Sequence, residues 1–226
     1  MYKNEYFSSP VYHEDKPEWV NNFNRLCDPY IAQARKNLEK DLEKDNEKRL
    51  KLGYKNDIGM TYHSGPLEAD PNFNEFHSYV AKKSRWVLED MGYDMSHYNL
   101  IFTESWVQEF SFNGAGHHWF HTHSNSHISG FYFLKASDVT SRPMFQDPRT
   151  AHVPLKLKLK NPTDGKANGQ DIVNYTAKPG TFILFPAYMS HAYQVDHGIE
   201  PFRFIHINMR AIEKNMLTSF NMSSIV

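Results

Sequence analysis

The chain has 226 residues, 40% of them apolar and 15% aromatic, which suffices for one domain with a sizeable core. Its 25 basic and 26 acidic residues leave a net charge of −1, which argues against a nucleic-acid-binding surface. A single cysteine, Cys27, excludes an intrachain disulfide and fits a cytoplasmic protein. No apolar run has the length of a membrane span, and the polar start Met1-Tyr2-Lys3-Asn4-Glu5 does not resemble a signal peptide.

Residues 6 to 12 read as a short strand ending before an acidic turn at Glu14-Asp15. A helix follows, with Asp15 near the cap and Pro17 in the first turn. Trp19, Phe23, Leu26, Tyr30, Ala34 and Leu38 recur at helical spacing, and Cys27 beside them reads as a packed thiol. Residues 39–51 are nearly all charged, as on a solvated helix end with i,i+4 pairs, and Gly53 closes the segment. After an irregular stretch, Asp70 caps a second helix with Pro71 in its first turn. Phe73, Phe76, Val80, Val87 and Met91 form its stripe and Gly92 its end. Both helices are expected on one face of the sheet that follows.

From Asn99 to about Ile212 the chain is β-rich. Trp106, Gln108, Phe110 and Phe112 alternate with Val107, Glu109, Ser111 and Asn113. Gln108 therefore interrupts an apolar face and needs a buried hydrogen-bond partner. Residues 116–127 hold five histidines, in His117-His118-Trp119-Phe120-His121-Thr122-His123 and then His127. Residues i and i+2 of a strand point the same way, so His121 and His123 converge as two metal ligands must. Residues 127–136 form a further strand, with Tyr132 and Leu134 opposite Lys135. Val153–Lys160 alternates cleanly, as a strand with a Lys row on an edge. Phe182–Phe185 is a buried strand that Pro186 ends, and the bend beyond it delivers His191 as a third ligand. On Phe202–Arg210, Arg203 shares a face with Ile205, Ile207 and Met209. It is thus an inward charge needing an anionic partner, either a protein carboxylate or a bound dicarboxylate.

In this order, His121-Thr122-His123, His191 and Arg203 resemble the Fe(II)- and 2-oxoglutarate-dependent dioxygenases. More narrowly, five stretches are similar to a small group of such oxygenases found in phages and marine bacteria. They are Trp106-Val107-Gln108, Ser129-Gly130-Phe131-Tyr132-Phe133-Leu134, Asp147-Pro148-Arg149, Phe185-Pro186 and Phe7-Ser8-Ser9-Pro10-Val11-Tyr12. The resemblance implies a mostly β fold with N-terminal helices: a double-stranded β-helix, or jelly roll, with two helices packed on one sheet. One domain would span residues 1–226, with a helical part at 1–98, the jelly-roll core at 99–212 and a tail at 213–226. Fe(II) would be held by His121, His123 and His191. 2-Oxoglutarate would be held by Arg203, with Gln108 and Tyr132 facing it. O₂ would be consumed, and succinate, CO₂ and a hydroxylated substrate formed.

The chain departs from the wider pattern at His123, where the carboxylate ligand usually stands. Three neutral ligands leave more positive charge on the metal. Were His123 not a ligand, Glu104, Glu109 or Asp147 would be the carboxylates to test. Two other readings stay open. Pro179-Gly180, Pro186 and His191 match the second motif of cupins in spacing, and a three-His cupin dioxygenase or isomerase would need no 2-oxoglutarate. A non-catalytic metal-binding protein is the other. Loops 54–69, 113–117 and 137–152 are the expected substrate walls.

Overall fold

The computed structural model describes residue 2 and residues 7–53, 57–149, 157–160 and 169–219, with backbone alone at 41–46 and 217–219. Two helices, α1 (Val20–Lys51) and α2 (Asn74–Asp90), precede most of the strands. Each is entered through a 3-10 turn opened by the expected proline, Pro17 or Pro71. The Asp70 side chain accepts the backbone N–H of Asn72, so the second cap forms as expected. Asp15 does not cap α1; its carboxylate lies beside Lys178 instead. The charged stretch 39–51 continues α1, as its composition suggests.

The strands are β1 (Tyr12–Asp15), β2 (Thr61–His63), β3 (Tyr98–Phe110), β4 (His118–His121), β5 (Ile128–Lys135), β6 (Pro143–Gln146), β7 (Ile172–Asn174), β8 (Thr181–Pro186), β9 (His191–Tyr193) and β10 (Arg203–Glu213). They form two antiparallel sheets, ordered β1-β8-β5-β10-β3-β2 and β4-β9-β6-β7. β1 corrects the expected strand at 6–12. The acidic pair Glu14-Asp15 lies within it rather than in a turn, because β1 is an outer strand whose charged side chains reach solvent and lysines. Among 157–160, the described part of the Lys-alternating segment, no strand forms; 153–156 lie outside the described residues.

Both faces of the six-stranded sheet are buried. On one, Val107, Tyr132, Leu134, Ile205, Ile207 and Met209 pack against Phe23, Ile31, Phe76 and Val80 of the helices. On the other, Phe110, Phe131, Phe133, Phe185 and Phe204 meet Phe145 and Tyr193 of the smaller sheet. Two sheets closed over a common interior, with both helices on the outer face of one, make the expected jelly roll. Two glycines permit close approach. A Cβ at Gly130 would stand 2.5 Å from the Ile183 carbonyl oxygen. Gly180 (φ +91°) brings its backbone against Pro17, locking β8 to the start of α1. Among the described residues no helix is long and apolar enough to cross a membrane.

Candidate metal centre

β4 and β9 pair with His121 opposite His191 and His118 opposite Tyr193. β4 ends at His121, so His123 is not on the strand. Its N–H donates to the Ala187 carbonyl at 3.1 Å, tying it to the turn that delivers His191. The three rings converge all the same. One nitrogen of each of His121, His123 and His191 lies within 4.8 Å of the others.

The hydrogen bonds select the tautomers. Nδ1 of His121 lies 2.7 Å from the Trp119 carbonyl, and Nδ1 of His191 lies 3.0 Å from that of Met189. A carbonyl only accepts, so each Nδ1 carries the proton and each Nε2 keeps its lone pair. Nε2 of His123 and of His191 is buried without a protein partner. Burial, reinforced by the neighbouring histidines, pushes His191 down to about 3 and His123 down to about 4. Both are neutral at neutral pH. Two buried, partnerless imidazole nitrogens, that of His191 unprotonated, beside a third fit a divalent metal.

A second group overlaps the first. Glu104, His123 and His206 also bring ligand atoms within 4.8 Å of one another. Glu104 Oε2 is 3.6 Å from His123 Nδ1 and 3.9 Å from His206 Nε2. His206 stacks on Trp106, with ring centres 4.2 Å apart, and burial lowers its pKa well below the usual histidine value. His206 is a residue near the site that the sequence pattern does not single out. The signal was its alternation with Phe204 and Asn208 on a strand with two buried faces.

Of the remaining expected site residues, Gln108 faces the barrel interior, and its amide nitrogen donates to His118 Nε2. The two others do not. Arg203 is buried as expected, but on the helix-facing side. Its Nε donates to Glu109 at 2.7 Å and its Nη1 to Asp28 at 2.7 Å. The protein-carboxylate alternative therefore holds, and the expected role of Arg203 on 2-oxoglutarate is corrected. Tyr132 is also corrected. It packs among the helix aromatics and donates its hydroxyl to the Lys16 carbonyl at 2.6 Å. A tyrosine not singled out from the sequence, Tyr193, does face the barrel interior. This follows His191 by two residues on the same strand face, and its buried hydroxyl has no partner.

Residues 104–202, which span His121, His123 and His191, match the model of a family described as "Putative 2OG-Fe(II) oxygenase". No curated protein matches the chain in sequence. Among solved structures, EctD from S. alaskensis with 2-oxoglutarate and 5-hydroxyectoine overlays at TM-score 0.58 and 13% identity. The overlay covers 89% of this chain and 72% of that one. The α-ketoglutarate-dependent carbocyclase SnoK from nogalamycin biosynthesis overlays at TM-score 0.52 and 12% identity, covering 96% and 89%. The chain spans 59% of the length of a 2OG-Fe(II) oxygenase-family oxidoreductase from Burkholderia pseudomallei, at TM-score 0.43, 8% identity and 62% of this chain, too loose an overlay to weigh. The overlays with EctD and SnoK carry the fold, and the matched residues carry the histidines. On these grounds residues 104–202 are similar to the 2-oxoglutarate- and Fe(II)-dependent oxygenases, and the chain has the fold of EctD and SnoK.

Proposed function

We propose that this oxygenase hydroxylates a C–H bond of its substrate, with Fe(II) held by Nε2 of His121, His123 and His191. The carrying observation is the convergence of these three rings, with the Nδ1 protons of His121 and His191 fixed on backbone carbonyls. When bound, the metal with 2-oxoglutarate and O₂ supplies the oxidising power, forming succinate, CO₂ and a hydroxylated product. The chain's part is to orient and to exclude water. Phe131 and Phe185 lie against His191, with ring centres 5.6 and 4.9 Å away, and close one side of the cluster to solvent.

With Arg203 engaged by Glu109 and Asp28, the far carboxylate of 2-oxoglutarate falls to neutral donors of the barrel face. We assign this role to Gln108 and the Tyr193 hydroxyl. Two residues of extended strand span about 6–7 Å, a distance suited to a five-carbon diacid reaching from His191 to Tyr193.

The test is anaerobic titration with Fe(II), followed by 2-oxoglutarate and then O₂. Wild type is expected to bind about one iron per chain, by the ligand count. It should develop a visible charge-transfer band with 2-oxoglutarate and release succinate on exposure to O₂. His121→Ala and His191→Ala are expected to lose iron, and His117→Ala to keep it. Tyr193→Phe should keep iron but weaken the 2-oxoglutarate-dependent band. Iron binding with neither band nor succinate would sink this reading and favour the three-His cupin alternative.

A further inference from the structure

The charge that the ligand set lacks is present one side chain away. Glu104, Asn208 and Ser129 form a polar row across β3, β10 and β5, each directly opposite the next in register. Asn208 and Ser129 are fully buried, and Glu104 is about one-third exposed. Asn208 donates its amide to Glu104 Oε2, and the Ser129 hydroxyl donates to Asn208 Oδ1. The row ends under His123, whose Nδ1 is 2.9 Å from the Asn208 amide nitrogen and 3.6 Å from Glu104 Oε2. His123 thus has Nδ1 on the Glu104 side and leaves Nε2 buried without a hydrogen-bond partner.

We propose that Glu104 is the outer counter-ion of the metal. His123 turns Nε2 to iron and its Nδ1 proton to Glu104. The negative charge of the usual carboxylate ligand then stands one imidazole away from iron.

The chemistry follows from the tautomer. An imidazole that ligates through Nε2 carries its proton on Nδ1, where the nearest anionic acceptor is Glu104 Oε2. The present 3.6 Å is longer than a formed hydrogen bond, and a small rotation of the part-exposed Glu104 side chain closes it. The Asn208 amide nitrogen, which can only donate, faces Nδ1; ligation through Nε2 moves the proton to Nδ1, and Asn208 must yield that place to the Glu104 oxygen it also holds. A carboxylate on the far nitrogen makes the imidazole a stronger donor to the metal and fixes its ring plane. His206 on the other flank of Glu104 Oε2 confines the carboxylate to this position.

The inference rests on the three-histidine assignment, and the test separates the two. Fe(II) affinity would be measured anaerobically by competition with a chromophoric chelator. The variants are Glu104→Gln, His206→Phe, His121→Ala and the double variant Glu104→Gln/Asn208→Asp, all checked for folding by near-UV circular dichroism. Glu104→Gln is expected to weaken iron binding about 10–100-fold, the usual loss for an outer partner of a metal-bound histidine. It should also shift the charge-transfer band of the 2-oxoglutarate complex. The double variant should recover most of the affinity, because Asp at position 208 returns a carboxylate to His123 Nδ1; a merely structural role for Glu104 would show no such rescue. Glu104→Gln binding within twofold of wild type would overturn the proposal. So would loss of iron in both Glu104→Gln and His206→Phe with retention in His121→Ala. That pattern would make Glu104, His123 and His206 the direct ligands and overturn the three-histidine assignment too. Iron lost in His121→Ala but unchanged in Glu104→Gln would overturn only the outer counter-ion.

Discussion

The two faces of the six-stranded sheet differ in how their strand-borne charges and rings are met. On the helix face, Arg203 is matched to Glu109 and Asp28, and Glu109 is further held by Arg35 and Lys135. On the barrel face, nitrogens of Trp106, His123, His191 and His206 and the hydroxyl of Tyr193 are buried without partners. An orphaned buried polar group is costly, so a cluster of them marks a place that a ligand completes. The Arg203–Glu109 network is closed on itself and needs no ligand.

The comparison would break most visibly at Arg203. Arg203→Ala leaves Glu109 short of its most buried partner, and is expected to lower unfolding stability by about 3–5 kcal/mol. The folded protein should keep its affinity for Fe(II) and 2-oxoglutarate. Urea unfolding and a 2-oxoglutarate titration check the two halves. Normal stability with lost 2-oxoglutarate binding would move Arg203 to the other face.

A pH effect sharpens the same contrast. His77 of α2 packs between Phe76 and Phe102 and bonds to Ser105 at 3.1 Å. Burial pushes it down to about 4 from 6.5. A depressed histidine is neutral when folded and takes up its proton more readily when unfolded. Its contribution is therefore present above pH 6.5 and lost as pH falls toward 4. The loss is on the order of 3 kcal/mol. The metal-free His77→Phe variant should lose less stability than wild type between pH 7 and pH 4.5, measured by urea unfolding. An identical loss in both would show that His77 does not report on the helix face.

Smaller effects follow. Gly130→Ala places a methyl group against the Ile183 carbonyl and Leu184 on the helix side, and should cost about 1–3 kcal/mol by crowding. Thermal unfolding reads it, and the iron stoichiometry should not change. Lys83→Met removes an exposed bridge to Glu14 and should cost under about 1 kcal/mol in the same assay.

Both helices, their proline entries and the main strands were legible because their signals are local: capping residues, apolar period and turn residues. His121, His123 and His191 were legible by residue type. The face of β10 was not. Alternation separates Arg203, Ile205 and Ile207 from Phe204, His206 and Asn208, but with both sets buried it does not say which one looks into the barrel. That single ambiguity separates the expectation for Arg203 from the structure, and hides His206 from the sequence. Tyr132 followed the same error on β5. Glu104 was within reach only as a substitute ligand, since its relation to His123 depends on cross-strand register that no single strand encodes.

β10 therefore carries two interleaved messages on one backbone. Its odd positions from 203 to 209 hold the helices, and its even positions from 204 to 208 furnish the site. A slip of one residue would put an isoleucine where His206 stands and take Asn208 from beside His123, so the register of β10 sets what surrounds the three histidines. The same interleaving lets the two messages vary independently. Changes at 204, 206 or 208 can reshape the chemistry of the barrel while the helix docking is untouched, which makes β10 the natural strand on which to redesign this enzyme.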